Sequence, residues 1–456
     1  MNEAILKELS TKCPEAVMVR VVLENTLTPE LVDKTFEDHR QQQYTRLLLF
    51  SSVVELAQVV VCRVRPSMNA AFKLMKDELC VSQKSLYNKL NNTEPSVCEG
   101  LVRAASERMR AVVDKLNVHR PQLIRGFETR IIDGNHLAAT EHRIKELRTT
   151  SSGPLPGKTL VVWDAERQMV HNVYCCEDGH AQERSILPEV LNDIQPNELW
   201  IGDRNIATSS FVWQVRASKA RFLVRRHRQN IRCVTHGRER RVGETTTGTV
   251  YEQDIEIQDD FGGSFRARKI RIVLNQPTRD KDQEIELLTN LPKRVQATKI
   301  ADAYLERWQV ETAFYELDKL FEGEIETLGH PRAALLMFSL SLIAYNALNV
   351  VRAALAAAHG VEEAEEISGY YFTHLVNGDW RALEIFASTD DWAKKFSNCT
   401  PAQTARILLS LAKNVDLRRL KKSKRGPKKK PPKRTSNKRK PHVSTARVLQ
   451  ARKPVS

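Results

Sequence analysis

Apolar positions recur at helical spacing from the N-terminus to about residue 130. The spacing predicts packed helices over 46–61, with its run LLLFSSVVELAQVV, and over 68–79, with Arg65-Pro66-Ser67 as the breaker between them. A further helix is expected from Val81 to Leu90. Ser82 is its N-cap, Leu86 and Leu90 lie on one face, and Lys84, Asn88 and Lys89 are left to solvent. Such a helix suits either the reading element of a small DNA-binding unit or an ordinary protein surface.

From residue 128 the period shortens to two. Short apolar strands are expected at 129–132, ending at Asp133, at 159–164, at 169–175 and at 199–202, ending at Asp203. The turn 164–168 makes the second and third a hairpin. A helix over 205–219 and a strand over 221–227 complete a mixed sheet with helices against it. Strands at 245–251 and 265–274, broken by Gly243, Gly248, Gly262 and Gly263, read as a β insertion before the chain returns to the sheet at 286–290. One long helix is expected over 299–317, with Ile300, Tyr304, Trp308, Glu311 and Tyr315 along one broad face. Helical packing resumes after Pro331, at 353–358 and at 402–411.

Charge is unevenly spread. The formal charge is +15, yet residues 417–456 hold 17 of the 71 Lys and Arg and none of the 56 Asp and Glu. The first 416 residues, with 54 basic and 56 acidic side chains, are therefore nearly neutral. The tail, KKSKRGPKKKPPKRTSNKRK, has no apolar period and is expected to be disordered and to attract phosphates of any sequence. No apolar stretch is long enough and unbroken enough to predict a membrane span, since 333–350 is interrupted by Ser339, Ser341, Tyr345 and Asn346. The N-terminus lacks a secretory pattern, which places the chain in a reducing interior. The eight cysteines include no C-x-x-C pair, so they are expected as free thiols and not as a zinc site.

Asp133 and Asp203 are each the first polar side chain after an apolar strand, where an open sheet presents groups to a ligand. A strand-end Asp also caps turns, and spacing alone does not separate the two roles. With Glu311 from the helix they make three hard oxygen donors, suited to Mg²⁺ or Mn²⁺ and not to zinc.

The segment Tyr304-x-x-Arg307-Trp308-x-x-Glu311 resembles the signature region of the IS4 group of bacterial DDE transposases, which includes the Tn5 type. Ile131-Ile132-Asp133-Gly134 and Ile201-Gly202-Asp203-Arg204 resemble the two catalytic-Asp regions of that group, and 287–291 its strand before the catalytic helix. The resemblance covers about 128–349. It implies a ribonuclease-H-like α/β catalytic domain with a β insertion and helical flanking regions. The division it suggests is 1–127 as a helical DNA-binding region, 128–229 with 283–350 as the catalytic domain, 230–282 as the insertion, 351–416 as a helical region and 417–456 as the tail.

The resemblance further implies a two-metal Mg²⁺ site on Asp133, Asp203 and Glu311, with Mn²⁺ as substitute, and DNA contacts by Tyr304, Arg307, Arg204 and Lys319. The lysine usual seven positions after the catalytic Glu is here Asp318, with Lys319 beside it. An insertion aromatic that receives a flipped base would be Tyr251, Phe261 or Phe265. The implied activity is metal-dependent cleavage at terminal inverted repeats and strand transfer into target DNA. A homodimer in the synaptic complex and a cytoplasmic, DNA-associated location go with it. A non-catalytic DNA-binding derivative and a nuclease that cuts without joining are the alternatives.

Overall fold

The computed structural model describes residues 3–45, 47–137, 155–226, 231–278, 281–320 and 328–423, excepting the side chains of Glu78, Asp318, Lys319, Leu320 and Arg381. The basic tail expected at 417–456 lies almost wholly outside the described residues. Ahead of the first strand come α1 (Glu3–Lys12), α2 (Pro14–Thr26), α3 (Pro29–His39), α4 (Phe50–Val61), α5 (Met68–Leu79), α6 (Gln83–Asn92) and α7 (Pro95–Leu116). Local chemistry sets several of these starts. Ser67 and Ser82 cap α5 and α6 through their side chains, and proline occupies the first turn of α2, α3 and α7, where no intrahelical donor is needed. The helix expected over 46–61 begins only at Phe50.

The sheet begins with β1 (Glu128–Leu137), β2 (Gly157–Asp164) and β3 (Met169–Cys176). After them come α8 (Glu183–Asn192), β4 (Glu198–Gly202), α9 (Ser209–Ala217) and β5 (Arg221–Arg225). Then follow β6 (Arg232–Thr245), β7 (Gly248–Gln258), β8 (Ser264–Leu274) and β9 (Glu284–Thr289). All belong to one mixed sheet in the order β3-β2-β1-β4-β5-β9-β8-β7-β6. β1 runs antiparallel to β2 and parallel to β4, and β4 parallel to β5. The insertion strands extend the same sheet through β9, and β6, absent from the sequence reading, is its mostly exposed edge. Its polar, arginine-rich residues hide the usual apolar alternation.

The remaining helices are α10 (Ala297–Leu305), α11 (Trp308–Leu320), α12 (Pro331–His359), α13 (Val361–Glu365), α14 (Gly369–Phe386), α15 (Thr389–Phe396) and α16 (Pro401–Ala412). The long helix expected over 299–317 is thus two helices, parted at Glu306 and Arg307. There the amides reach back three residues, Glu306 to Ala303 and Arg307 to Tyr304, so the chain tightens and turns. The expected common face is lost with it: Ile300 and Tyr304 are buried, whereas Trp308 and Tyr315 are exposed.

Strand alternation divides the core between the two faces of the sheet. Ile132, Leu160, Val162, Trp200 and Phe222 pack with α8 and α9. Ile131, Val161, Trp163, Ile201 and Leu223 face α7, α10, α11 and α12. α12 is long and apolar enough to cross a membrane by length and composition, but 94% of its most apolar stretch is buried inside the protein. It is the central core helix.

Several charged groups are buried in the sheet. Arg130, on β1, is 2% exposed, with Glu128 at 2.7 Å, Glu198 at 3.0 Å and Asp164 at 3.1 Å. Removing the guanidinium leaves Asp164 and Glu198 buried without it. Arg130→Ala is expected to lower unfolding free energy by about 3–5 kcal/mol in a urea titration, and a loss under about 1 kcal/mol would contradict the role given to it.

Candidate active site

The site starts with the β1–β4 ladder. Parallel pairing runs from Glu128 opposite Glu198 to Ile132 opposite Gly202 and stops there. Asp133 and Asp203 are the next residues on neighbouring strands. Asp133 does not end its strand as the sequence suggested, because antiparallel pairing with β2 continues to Leu137 opposite Gly157. It shares a face with Ile131, the side covered by α11. Asp203 does end β4, and its Oδ1 accepts the amides of Asn205 and Ile206 at 2.8 and 3.1 Å. This Asx cap shortens the helix expected at 205–219, since the chain turns before α9 begins.

Glu311 arrives on α11, whose position is fixed at both ends. Gln309 Oε1 accepts the indole Nε1–H of Trp163 on β2 at 3.0 Å and the Gln168 amide at 2.7 Å. Glu316 accepts the Tyr345 hydroxyl at 2.9 Å and Arg352 at 3.0 Å, both from α12. Neither anchor carried a sequence signal, since each depends on partners distant in the chain.

Arg307 joins the pieces. Its Nη1 lies 3.0 Å from Asp133 Oδ2 and its Nη2 lies 2.7 Å from Glu311 Oε1, so one guanidinium bridges two carboxylates from separate elements. Its Nε–H is buried and meets no acceptor among the described residues. Burial pushes the Asp133 carboxyl up to about 7; Arg307 pulls it down, Asp203 pushes it up, the Gly134 amide pulls it down and Glu311 pushes it up. Tyr304 is buried beneath the cluster. Burial pushes its hydroxyl up to about 12, with Arg307 opposing and Asp203 reinforcing the shift.

The structure therefore brings Asp133, Asp203, Tyr304, Arg307 and Glu311 into one neighbourhood. Arg204, exposed beside Asp203, lies within electrostatic reach of Asp282. The Lys319 side chain lies outside the described residues, although its backbone belongs to α11. His136 points away from the acids to the Gly179 carbonyl at 3.3 Å. Asp164 is held by Arg130 and Arg167, each at 3.1 Å, in the hairpin role its turn position suggests. Of the insertion aromatics, Phe265 packs on Trp213 and Phe222, Tyr251 lies under Arg271, and Phe261 is exposed.

The donor set consists of hard carboxylate oxygens, which suits magnesium or manganese. Among the described residues, however, no three or more His, Cys, Asp and Glu side chains stand close enough together to hold a metal ion as they are. The guanidinium bridging Asp133 and Glu311 supplies the compensating positive charge instead. The eight cysteines are free thiols, but only Cys13, Cys62, Cys98 and Cys175 are buried, and Cys80 is exposed.

Residues 125–347 match the family model described as the transposase DDE domain. That span, just under half of the chain, contains all five clustered residues. No curated protein matches the sequence. The chain is also similar to one in a cryo-EM structure of the piggyBac transposase synaptic complex with hairpin DNA, at 10% identity and a TM-score of 0.39. The likeness covers 86% of this chain and 87% of that one. It is too distant to define the fold.

A carboxyl raised on folding destabilises the native state once it ionises. The cost is absent below the ordinary value of 3.8, grows as pH rises and is complete above about 7. Asp133→Asn removes it. The thermal midpoint of the variant, relative to the parent without added metal, is expected to rise by a few degrees between pH 5 and pH 8, and a flat difference would contradict this electrostatic reading.

Proposed function

We propose that this chain is a DNA transposase of the IS4 group, Tn5-like, that cleaves at terminal inverted repeats and joins the freed ends to target DNA. The observation that carries the reading is the Arg307 bridge from Glu311 on α11 to Asp133 on β1, beside Asp203, inside the span matched by the transposase DDE domain. The sheet order β3-β2-β1-β4-β5, with β1 parallel to β4 and antiparallel to β2, supports a ribonuclease-H-like catalytic domain. The helical region before β1 is assigned to DNA binding, and two copies of the chain to the paired ends.

Asp133, Asp203 and Glu311 would hold divalent magnesium, or manganese in its place, and a pair of such ions bound there supplies an activated nucleophile and a stabilised leaving oxygen for in-line displacement. Hydrolysis breaks one P–O bond to leave a 3′-hydroxyl. That hydroxyl then forms a new P–O bond in the target as an existing one breaks, so joining needs no outside energy source.

Arg307 has a separate task. Its planar fork, now shared by two carboxylates, matches a phosphate equally well. Tyr304 orients the guanidinium from beneath, and Arg204 and Lys319 are assigned to the DNA backbone on either side.

The test uses duplex DNA carrying the sequences that flank the encoding gene, with magnesium and a target plasmid. The parent is expected to cut and join. Asp133→Asn, Asp203→Asn and Glu311→Gln are each expected to lose about a thousandfold or more in cleavage while keeping their fold and end binding. Cutting without joining would replace this reading with a nuclease, and binding without cutting would replace it with a non-catalytic derivative.

A further inference from the structure

α5 and α6 are separated by three residues, Cys80, Val81 and Ser82. Cys80 adopts the left-handed conformation at φ 50°, which reverses the chain within one residue of the α5 end. Ser82, extended at φ −79° and ψ 152°, then starts α6 by accepting the Ser85 amide at 3.1 Å. Two helices joined by so short a turn, both packed on α4, form a helix-turn-helix arrangement. Leu86 and Leu90 are fully buried and fix the inner face of α6.

The opposite face is exposed. Gln83, Lys84, Ser85 and Asn88 are all exposed, and α6 contains no acid. Lys89, expected to face solvent, instead turns inward, with its ammonium 3.8 Å from the centre of the Phe36 ring and 3.3 Å from the Tyr44 carbonyl. It is a packing residue. What remains outward is Lys84 and Asn88, one helical turn apart, with Gln83 and Ser85 at the start of the helix.

The C-terminal end of α6 is tied to the catalytic sheet. The Asn92 carbonyl accepts from Arg332 at 3.3 Å, and Arg332 pairs at 2.8 Å with Glu177, the residue after β3. β1 runs toward that same end of the sheet as it passes Asp133, since its last residue pairs with Gly157 and the neighbouring Lys158 pairs with Cys176 at the end of β3.

We infer that α6 is a DNA-reading helix that enters the major groove, with Gln83, Lys84 and Asn88 meeting base edges and the exposed Lys73 and Lys76 of α5 meeting phosphates. The chemistry suits that partner. Amide side chains form paired bonds with adenine, lysine bonds to guanine, and residues near the start of such a helix are the ones that reach the bases. This rests on the transposase reading for the identity of the DNA, though not for the fact of sequence-specific binding.

The test exposes full-length protein to a random-sequence duplex pool, recovers bound DNA and sequences it, for the parent, Lys84→Ala and Asn88→Ala. All three are then titrated against the parent's selected duplex and a scrambled one. The parent is expected to select a defined motif. Each variant is expected to lose preference at one or two adjacent base pairs and to bind the selected duplex about 5- to 150-fold more weakly. Asn88→Ala is expected to keep its affinity for scrambled DNA, and both variants should melt as the parent does. A parent that selects no motif, or variants that select the same motif with unchanged affinity, would overturn the inference. If the motif shifts as stated while the parent fails to cut its selected duplex with magnesium, the reading helix stands and the catalytic reading fails.

Discussion

The parallel ladder between β1 and β4 ends with Ile132 opposite Gly202, so Asp133, still within β1, and Asp203, just past β4, follow it at one level. Two carboxylates placed this way repel, and burying one of them raises the cost of ionising it. The surroundings are organised around that constraint. A guanidinium spans Asp133 and Glu311, and the Asp203 carboxylate is stabilised by two backbone amides. The same unfavourable concentration of negative charge is what gives a divalent cation, or a cation of the protein's own, a reason to be there.

The turn at Glu306 and Arg307 connects fold to chemistry. Were α10 and α11 continuous, Tyr304 and Trp308 would share a face; the break buries Tyr304 while leaving Trp308 exposed, and brings Arg307 to Asp133. α11 is then held to the hairpin through Gln309 and to α12 through Glu316. Glu311 thus belongs to a rigidly seated helix, whereas the arginine that binds it is a long side chain able to change partners.

Much of this was legible in the chain. Short apolar runs located β2, β3 and β4 closely, and the start of β1, because these stretches are buried on both faces between helical layers, and Ser82 marked the start of α6 because a cap is a local device. What escaped depended on distant partners. β6 carries polar and basic residues on an exposed edge, so its strand character comes from pairing with β7. The extension of β1 through Asp133 is imposed by β2, and the inward turn of Lys89 by a Phe36 ring far away in sequence. The acids could be nominated from their positions, but not the arginine bridge between them, since an i to i+4 pairing of Arg307 with Glu311 says nothing about Asp133.

On the proposed reading, the Asp133, Asp203 and Glu311 carboxylates form a divalent-cation site for which Arg307 now provides the opposing charge. Anomalous scattering from crystals of the protein grown with manganese and a terminal-repeat duplex tests it most directly. Manganese is expected within direct bonding distance of both Asp133 and Asp203, with Arg307 withdrawn from Asp133 onto a DNA phosphate. Manganese absent from those carboxylates at saturating concentration, with Arg307 still bridging Asp133 and Glu311, would contradict the account.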